Sequence, residues 1–458
     1  MNAPPTATQT ATATATPFAA PEPAAGDPLG RALADAIERY VAARPRSAAL
    51  QREAADVLPG GNTRSVLFFP PFPPYMARGE GCRLTDVDGH VYLDALGEFT
   101  AGLYGHSDPV IREATERALR NGLNLSSHTP AEAPLAREIR ARIPSMRRLR
   151  FTNSGTEANL LALAAAVAHT GRRTVLVFEG AYHGGVLSFP STGPAKVNVP
   201  HAFVVAPYND LDAARAALEP HRGDVAAIRV EPMLGSGGCV PGDPAFLHGL
   251  RGLADDHGAL LVLDEVMTSR LSYGGRQGLL GLAPDLTTIG KYFGGGMSIG
   301  AFGGREDVID RFDPRRADAL AHAGTFNNNV LTMAAGLAGL QRVLTREALD
   351  ALNARGERLR AALGACFARH GVALRASGLG SLLNLHPGAG PVRSVRDLAG
   401  ADPRVRDLLF FDLLERGVWI ARRGFVALSL PFGDAEVDAL VAAVDDAVGA
   451  RRALLPPA

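Results

Sequence analysis

Lys291 stands out because it is one of only two lysines in the sequence. The chain has 47 lysine and arginine residues, and all of them except Lys196 and Lys291 are arginine. Arginine keeps its proton at any accessible pH, whereas a lysine whose pKa is lowered by burial or nearby charge can form an imine. Lys291 lies in the stretch PDLTTIGKYFGGGMSIGAFGG, in which Gly290 and Gly294–Gly296 let the backbone approach a flat ligand. On its own, this pattern also fits a lysine in an ordinary glycine-rich turn.

A second stretch, NSGTE, has the features of a phosphate site. It follows a predicted strand at 149–152 and opens a predicted helix. Free backbone N–H groups and the helix dipole attract phosphate at such a position, Ser154 and Thr156 add hydroxyl groups, and Gly155 permits close approach. Ser154 and Glu157 also have the spacing of a capping box, so a helix cap is the alternative interpretation.

Three further residues lie at predicted element ends. Tyr182, in EGAYHGG, follows a predicted strand and is flanked by glycines, so its ring can lie flat on a heteroaromatic ring or pack at the core edge. Asp264, in LLVLDEVMTSR, follows four apolar residues, so its carboxylate needs a partner. It can hold a pyridinium nitrogen protonated, or it can cap a helix or form an ion pair. Thr325, in AGTFNNN, precedes a predicted helix at 330–344 and has the same alternatives of phosphate binding and capping.

Together these residue types match the requirements of pyridoxal 5'-phosphate. Lys291 would form the imine with the cofactor aldehyde, and Asp264 would keep the ring nitrogen protonated so that the ring can withdraw electrons. The freed lysine would then carry a proton between the substrate and the cofactor. Each feature is weak alone, but their combination in this order predicts this cofactor.

The elements that would position these residues predict an α/β domain. Helical patterns at 157–169, 211–218 and 244–257 lie between short apolar runs. Continuous apolar strands separated by helices indicate a mostly parallel sheet covered on both faces, with ligands at the carboxyl ends of the strands. The seven strand candidates are Leu149–Thr152, Thr174–Phe178, Phe203–Ala206, Ala226–Val230, Leu260–Leu263, Leu286–Ile289 and Ile299–Phe302.

Composition is that of a globular protein of 458 residues, with 47% apolar and 21% charged residues. The formal net charge of zero argues against partners such as nucleic acid or a membrane surface. Three widely spaced cysteines, Cys82, Cys239 and Cys366, suit a reducing compartment and have no metal-binding spacing, so we expect a cytoplasmic protein. No apolar run reaches transmembrane length.

The motifs together resemble those of the fold-type I, class III aminotransferases. They are NSGTEAN, EGAYHGG, VEPMLGSGG, LDEVMTS, LTTIGKYFGGGMSIGAFGG and AGTFNNN. Within that class, DEVMT, GGGM and GAFGG are similar to the glutamate-1-semialdehyde aminomutase subgroup. PGGNTRSVLFFPPFPP, FTNSGTEANL and RGFVALSLP look most like the aromatic β-amino-acid aminotransferases. This closer resemblance covers nearly everything after residue 29.

The resemblance implies a role for each matching residue. Lys291 would be the Schiff-base lysine, Asp264 the pyridinium partner and Tyr182 the stacking ring. Thr325 would reach the phosphate of the other subunit's cofactor, which implies a homodimer with shared sites. Further cofactor contacts are expected from Ser154, Gly155, Thr156, Glu231 and Met267. Many class III enzymes have glutamine where Met267 stands, so the partner of the cofactor's 3'-oxygen stays open.

Two arginines are candidates for binding a substrate carboxylate. Arg64, in NTRSV, and Arg423, in ARRGF, match carboxylate-binding arginines of the β-amino-acid enzymes, and a guanidinium holds a carboxylate by two parallel bonds. Arg422 fits the second place equally well, and a surface position is the alternative for each of them. Phe72, with Phe68 and Phe69, either lines an aryl pocket or packs in the core.

Three functions follow from these expectations. The first is a transaminase that uses a β-amino acid such as (S)-β-phenylalanine with 2-oxoglutarate. The second is an intramolecular glutamate-1-semialdehyde 2,1-aminomutase. The third is a non-catalytic binding protein on the same fold, against which Lys291 and Asp264 argue.

The expected domain organisation has four parts. Residues 1–28 are rich in threonine, alanine and proline and are predicted to be a disordered tail. Residues 29–90 would form the N-terminal segment of a small lobe, 91–345 the large cofactor-binding domain with a mainly parallel seven-stranded sheet, and 346–458 a smaller α+β domain. The last part is predicted to run helix, strand, helix, strand, strand, helix.

Overall fold

The structure, a computed structural model, describes Ala24 and residues 26–458. The predicted disordered tail falls almost wholly outside these residues and stays a prediction. The first helix begins at Pro28, where Asp27 accepts a hydrogen bond from the backbone N–H of Gly30 at 2.9 Å and so caps the helix.

The described part of the chain contains thirteen α-helices and eighteen strands. The helices are α1 (Pro28–Ala42), α2 (Pro45–Val57), α3 (Pro109–Arg120), α4 (Glu132–Arg142), α5 (Gly155–Thr170), α6 (Leu211–Leu218), α7 (Pro244–His257), α8 (Gly275–Leu280), α9 (Glu306–Ile309), α10 (Val330–Ala338), α11 (Arg346–His370), α12 (Pro403–Glu415) and α13 (Asp434–Arg451). The strands are β1 (Met76–Glu80), β2 (Arg83–Asp86), β3 (Val91–Asp94), β4 (Arg148–Thr152), β5 (Thr174–Phe178), β6 (Ala181–Tyr182), β7 (Ser188–Phe189), β8 (Ala202–Ala206), β9 (Val225–Val230), β10 (Met233–Leu234), β11 (Val240–Pro241), β12 (Leu260–Asp264), β13 (Leu286–Gly290), β14 (Gly300–Gly304), β15 (Leu374–Leu379), β16 (Leu382–Pro387), β17 (Val418–Trp419) and β18 (Phe425–Ala427).

The chain divides into two compact units. The first runs to Arg78 and includes Thr85–Val91, and the second comprises Gly79–Leu84 and Tyr92–Ala458. The second unit therefore contains both the expected large domain and the expected C-terminal domain. The boundary predicted between them at residue 345 stays a prediction.

The first unit is built around Tyr40 on α1, which is 1% exposed. Its ring lies 5.3 Å from the ring of Phe72 and 6.1 Å from that of Phe69, and its hydroxyl donates to the carbonyl of Phe72 at 2.8 Å. The guanidinium of Arg44 also lies over the Tyr40 ring, 4.4 Å from its centroid. These contacts place Phe72 in the core of this unit.

The second unit is organised by a seven-stranded sheet with the order β4-β14-β13-β12-β9-β5-β8. From β13 to β8 neighbouring strands are parallel, while β14 is antiparallel to both β13 and β4. All seven strand candidates are members of this sheet, which confirms the predicted fold. Every residue of β5, β9, β12, β13 and β14 is buried, as expected for strands covered on both faces.

The helices that cover the sheet share a core with it. Buried side chains of α5, such as Leu163, and of α7, such as Leu250, pack in one cluster with β5, β9 and β12. The predicted bounds of α6 and α7 are confirmed residue for residue, and α5 extends the predicted helix at both ends. The predicted helix at 330–344 instead ends as α10 at Ala338 and continues as a single π-turn at Gly339–Val343.

The C-terminal part has one more strand than predicted. β15 pairs antiparallel with β16, which pairs antiparallel with β18. The sequence LRASGLGS looks like a turn because of its two glycines. Gly378 lies inside β15 and has a φ of 123°. A Cβ there would lie 2.1 Å from the carbonyl oxygen of Leu382, so only glycine fits at this position of the strand. None of the described helices has the length and apolarity needed to span a bilayer.

Candidate active site

The site forms where two neighbouring parallel strands end. Asp264 is the last residue of β12 and pairs with Thr288 of β13, and Lys291 follows β13 directly. Lys291 has a φ of 59°, a left-handed backbone conformation that costs a non-glycine residue of order 1 kcal/mol or more. The position is held by the pairing of Gly290 with Gly300 on β14 before it and by Gly295, whose φ of 62° ends the short helical turn after it.

The carboxylate of Asp264 is 4% exposed and fully partnered. Its Oδ2 accepts from the side-chain amide of Asn159 and from Nδ1 of His183, both at 2.8 Å, and its Oδ1 accepts from the backbone N–H of Val266 at 3.0 Å. The guanidinium of Arg229, which is completely buried, lies 3.6 Å from Oδ2.

These partners keep Asp264 ionised. Burial alone would raise its pKa, but the hydrogen bond from His183 and the charge of Arg229 outweigh burial and hold the pKa below its usual range. Burial, together with Arg229, lowers the pKa of His183 to about 4, so the imidazole is neutral at neutral pH and its Nδ1 donates. The site therefore contains a fixed, buried negative charge on Asp264.

The amine of Lys291 has no hydrogen-bond or ion-pair partner among the residues that the structure describes. Burial lowers its pKa to about 8, against the opposing charges of Asp264 and Glu231. A large fraction of this lysine is therefore neutral and nucleophilic near pH 8, as imine formation requires.

Glu231 follows β9 and faces the same space. Its carboxyl group accepts from the backbone N–H of Tyr182 at 2.9 Å and from that of Gly235 at 3.0 Å. Burial and the nearby charge of Asp264 raise its pKa, so of the two carboxyl groups Asp264 holds the charge and Glu231 favours the proton. Met267, 8% exposed, packs on the backbone of Gly235, where a Cβ would lie 2.5 Å from its sulfur.

The NSGTE turn caps helix α5 and also leaves backbone N–H groups of its first turn without a helical acceptor. Ser154 is the N-cap of α5, and its Oγ accepts from the backbone N–H of Glu157 at 3.2 Å. The Glu157 carboxylate accepts in return from the backbone N–H of Asn153, at 2.9 Å. The capping interpretation is thus confirmed for Ser154, while its hydroxyl proton remains free to donate. Gly155 and Thr156 form the first turn, and a backbone N–H there has no helical acceptor of its own.

Tyr182 lies beside this helix start and is 47% exposed. It belongs to the short strand β6 and pairs with Ser188 of β7. The glycines that follow pack on α5: the N–H of Gly185 donates to Oγ1 of Thr156 at 3.3 Å, and a Cβ at Gly184 would lie 2.4 Å from the same oxygen. The ring is thus held next to the phosphate-site turn with a face open to a ligand.

The structure distinguishes the two adjacent arginines of ARRGF. Arg422 binds Asp407 on α12 through two parallel hydrogen bonds of 2.7 and 2.5 Å. Arg423 instead donates to Oγ of Ser236 at 3.0 Å and lies over the rings of Phe99 and Phe425. Its Nε is buried without a hydrogen-bond partner in the described part of the chain, and no carboxylate pairs with it there. Burial lowers its pKa, and its charge in turn lowers the pKa of Lys291, so the two groups are electrostatic neighbours.

Comparison with known proteins identifies the family. Residues 70–448 match the family model described as "Aminotransferase class-III". The chain is a class III aminotransferase. As a member of an enzyme family, it is not expected to be the non-catalytic binding protein considered above.

Several similar proteins match nearly the whole length of this aminotransferase. The chain is 54% identical to a β-phenylalanine transaminase of Variovorax paradoxus over 430 residues, which cover 94% of this chain and 99% of that protein. The crystal structure of a β-phenylalanine aminotransferase from the same organism superposes with a TM-score of 0.92, at 54% identity, over 94% of this chain and 100% of that chain. A glutamate-1-semialdehyde 2,1-aminomutase of Roseiflexus castenholzii is 38% identical, covering 88% of this chain and 97% of that protein. A transaminase solved with PLP bound is 33% identical, with a TM-score of 0.82, covering 90% of this chain and 98% of that chain.

The cofactor of this aminotransferase is pyridoxal 5'-phosphate, and the residues present fit it. The fit rests on the partnerless amine of Lys291 beside the buried anion of Asp264, and on a helix start with spare N–H groups next to an exposed tyrosine ring. A Cβ at Gly184 would lie 2.4 Å from Oγ1 of Thr156, so the glycines after Tyr182 pack closely on this phosphate-site turn.

Thr325 lies in an exposed turn before α10 of the aminotransferase. Helix α10 is capped by Asn329, whose Oδ1 accepts from the N–H of Leu331 at 2.9 Å, so Thr325 is not the cap. The same turn approaches the phosphate-site turn of its own chain, because Oδ1 of Asn327 accepts from Nδ2 of Asn153 at 3.0 Å. The expected contact of Thr325 with another subunit's cofactor stays a prediction.

Two predicted substrate residues, Arg64 and Phe72, belong to the first unit. Phe72 is fully buried against Tyr40, and Arg64 is exposed within its unit. Their roles toward substrate stay predictions.

Sequence reasoning assigned no role to Asn159, His183 and Arg229. A weak signal exists for Arg229, since a charge inside the apolar run VAAIRV must find a buried partner. His183 lies in the EGAYHGG motif, but nothing local indicates that it contacts a residue 81 positions away.

Proposed function

We propose that this aminotransferase transfers the amino group of a β-amino acid, such as (S)-β-phenylalanine, to 2-oxoglutarate. The observation that carries the proposal is the guanidinium of Arg423, which lies in electrostatic range of Lys291 and has no carboxylate partner in the described chain, while the adjacent Arg422 is fully paired. The relative named as a β-phenylalanine transaminase supports this substrate class.

The cofactor would be held at four points. Lys291 would bond to its aldehyde carbon, and Asp264 would pair with its ring nitrogen. The ring of Tyr182 would stack on one face. The helix start at Ser154, Gly155 and Thr156 would bind the phosphate. Glu231 and Met267 would lie at the cofactor edge next to Gly235.

When bound, pyridoxal phosphate supplies an electron sink that stabilises a carbanion at the substrate carbon. The residues of this chain supply the charge at the ring nitrogen and the base that moves the proton. Asp264, kept ionised by His183, Asn159 and Arg229, would hold a proton on the ring nitrogen. The amine of Lys291, with its pKa lowered to about 8, would take the proton from the substrate carbon and return it.

Arginines would orient the substrate. A guanidinium whose hydrogen bonds are unfilled in a partly buried site binds a carboxylate by two charge-assisted bonds. Arg423 is the first candidate for this role, and Arg64 is the second. Phe72 is a candidate for lining an aryl pocket, and its contacts with Tyr40 support the alternative of core packing.

We also propose a homodimer with shared active sites and a cytoplasmic location. The first is supported by the exposed Thr325 turn beside the phosphate-site turn, and the second by three free cysteines, Cys82, Cys239 and Cys366.

Half-reactions on the purified holoenzyme test the substrate assignment. Addition of (S)-β-phenylalanine alone is expected to convert the bound cofactor to its amine form, seen as loss of visible absorbance. Subsequent 2-oxoglutarate should restore it. The aminomutase alternative, to which the 38% identical relative points, predicts a response to glutamate-1-semialdehyde and none to the β-amino acid. That result would overturn the proposal.

A further inference from the structure

A cavity of about 230 Å³ lies next to Arg423 in the second unit. Its volume is below the roughly 300–1,000 Å³ of pockets for drug-sized ligands, which suits a small metabolite. Two of its lining residues are arginines, Arg406 and Arg423, and no lining residue is acidic. The cavity is therefore positively charged, and Arg423, whose charge also acts on Lys291, connects it with the candidate active site.

Arg406 lies on α12 and has no hydrogen-bond or ion-pair partner among the described residues. The carboxylates near it in the sequence are already paired: Asp402 binds Arg404, and Asp407 binds Arg422. Its charge reaches into the cavity region, because it helps burial to lower the pKa of His386 to about 4. Arg406 is thus a second guanidinium without a counter-ion in the same cavity as Arg423.

Two buried polar side chains of β16 also lack partners there. Asn384 and His386, each 2% exposed, line the cavity and lie two residues apart, on the same face of the strand. Oδ1 of Asn384 and Nδ1 of His386 have no hydrogen-bond partner in the described chain. The other ring nitrogen of His386 donates to the carbonyl of Gly238 at 3.0 Å. Buried polar atoms are rarely left unpaired, so these atoms indicate a polar occupant or bound water.

We propose that this cavity is the subsite for a dicarboxylic amino acceptor, with Arg423 binding one carboxylate and Arg406 the other. The inference rests on the proposed function, because it specifies the acceptor class of the same site. A dicarboxylate would give both guanidinium groups a counter-ion inside one cavity, whereas a monocarboxylate would leave one of them unpaired. Arg406 is therefore a specificity-determining residue, set apart from the residues that hold the cofactor.

The substitution Arg406→Gln tests this assignment in the holoenzyme. The KM for 2-oxoglutarate is expected to rise about ten- to hundredfold, the range for losing a hydrogen-bonded charge partner. The KM for pyruvate, which has one carboxylate, and the half-reaction with the amino donor should stay unchanged. Arg404→Gln is the matched control, since Arg404 lies on the same helix and pairs with Asp402. Arg406→Lys should recover part of the affinity for 2-oxoglutarate.

Equilibrium binding of two unreactive acids gives a second measurement that does not depend on turnover. The wild type is expected to bind glutarate more tightly than butyrate, and Arg406→Gln should remove that preference. An equal effect of Arg406→Gln on 2-oxoglutarate and pyruvate, or an unchanged preference for glutarate, would overturn the inference. Failure of the half-reaction with the β-amino acid, by contrast, would overturn the proposed function. The preference for glutarate over butyrate would then still test the dicarboxylate subsite by itself.

Discussion

Asn159 donates from its side-chain amide to Oδ2 of Asp264 at 2.8 Å, one turn after the start of the helix that forms the proposed phosphate site. The same amide also donates to the backbone carbonyl of His183 at 2.7 Å, and its oxygen accepts from Arg229. Helix α5 therefore fixes the carboxylate that would meet the ring nitrogen and the N–H groups that would meet the phosphate. The distance between these two groups therefore depends on helix α5 and on its hydrogen bond to the end of β12.

The substitution Asp264→Asn should reduce transamination by at least about a hundredfold, since a neutral amide gives no preorganised charge to hold the ring nitrogen protonated. It should also reduce stability, because breaking a buried ion pair costs roughly 3–5 kcal/mol and Arg229 is completely buried. Steady-state rates and thermal unfolding of the same preparations measure both effects.

Asp285→Asn is the matched control for that substitution. Asp285 is 8% exposed and accepts from Arg251 and Arg305, but it lies at the start of β13, opposite the end that holds Lys291. This variant should lose stability and keep its activity per folded molecule. If both variants lost activity in proportion to stability, Asp264 would have only a structural role.

Covalent trapping can assign the cofactor-bonding lysine without ambiguity, because the chain has only two lysines. Borohydride reduction of the holoenzyme followed by peptide mapping should place the adduct on Lys291. Lys196 is exposed and serves as the internal control. Lys291→Ala should abolish the adduct and nearly all turnover, and Lys196→Ala should affect neither. An adduct on Lys196, or normal turnover by Lys291→Ala, would contradict the proposed mechanism.

The pKa of Lys291 predicts a pH dependence for reconstitution. The neutral amine attacks the aldehyde, so the rate at which the apoenzyme binds cofactor covalently should rise about tenfold per pH unit below pH 8 and level off above it. Pyridoxamine phosphate has no aldehyde, so its binding should vary little over the same range. A midpoint near the ordinary lysine value of 10.5 would show that burial does not shift this group.

The same shift affects the stability of the apoenzyme. The folded-state pKa of about 8 lies below the unfolded value of 10.5, so between these values the unfolded chain binds the proton that the folded chain has lost. Considered alone, Lys291 should therefore make the free energy of unfolding increase as the pH rises from about 8 to 10.5. Comparison of wild-type and Lys291→Met apoenzyme in denaturant titrations isolates this contribution.

The sheet could be predicted from the sequence because its strands are buried on both faces. Every residue of a run such as Thr174–Phe178 is apolar or β-branched, so its length and composition are enough to locate the strand. Strand β15 was not predicted, because glycines such as Gly378 and Gly380 usually indicate a turn. Only the close approach of the carbonyl oxygen of Leu382 shows that Gly378 lies inside a strand.

The candidate site residues could be predicted where their own type and the neighbouring sequence mark them. Lys291 and Asp264 are marked by their types and by their positions at strand ends. The partners of Asp264 are not local: Asn159 is 105 residues away and His183 is 81. The choice between Arg422 and Arg423 was open for the same reason, because it depends on the position of Asp407 on α12.

Arg423→Gln should raise the KM for the amino donor about ten- to hundredfold and leave cofactor binding intact, since a hydrogen bond to a charged group contributes roughly 1.5–3 kcal/mol. Arg422→Gln removes a partly exposed ion pair with Asp407 and should cost at most about 1 kcal/mol of stability with an unchanged KM. Equal effects of the two substitutions on KM would contradict the assignment of Arg423.

Thr325 provides the sharpest test of shared active sites, because its turn also contacts Asn153 of its own chain. Thr325→Glu puts a carboxylate where a phosphate is expected, so this variant and Lys291→Ala should each be inactive. In a hybrid of the two chains, shared sites would combine Lys291 of one subunit with Thr325 of the other and restore one intact site of the two. Sites built from a single chain would stay inactive in the hybrid.

Activity after mixing and reassembly of the two variants, with each variant reassembled alone as the control, therefore separates the two arrangements. A chain that proves monomeric at working concentration would exclude the shared arrangement outright.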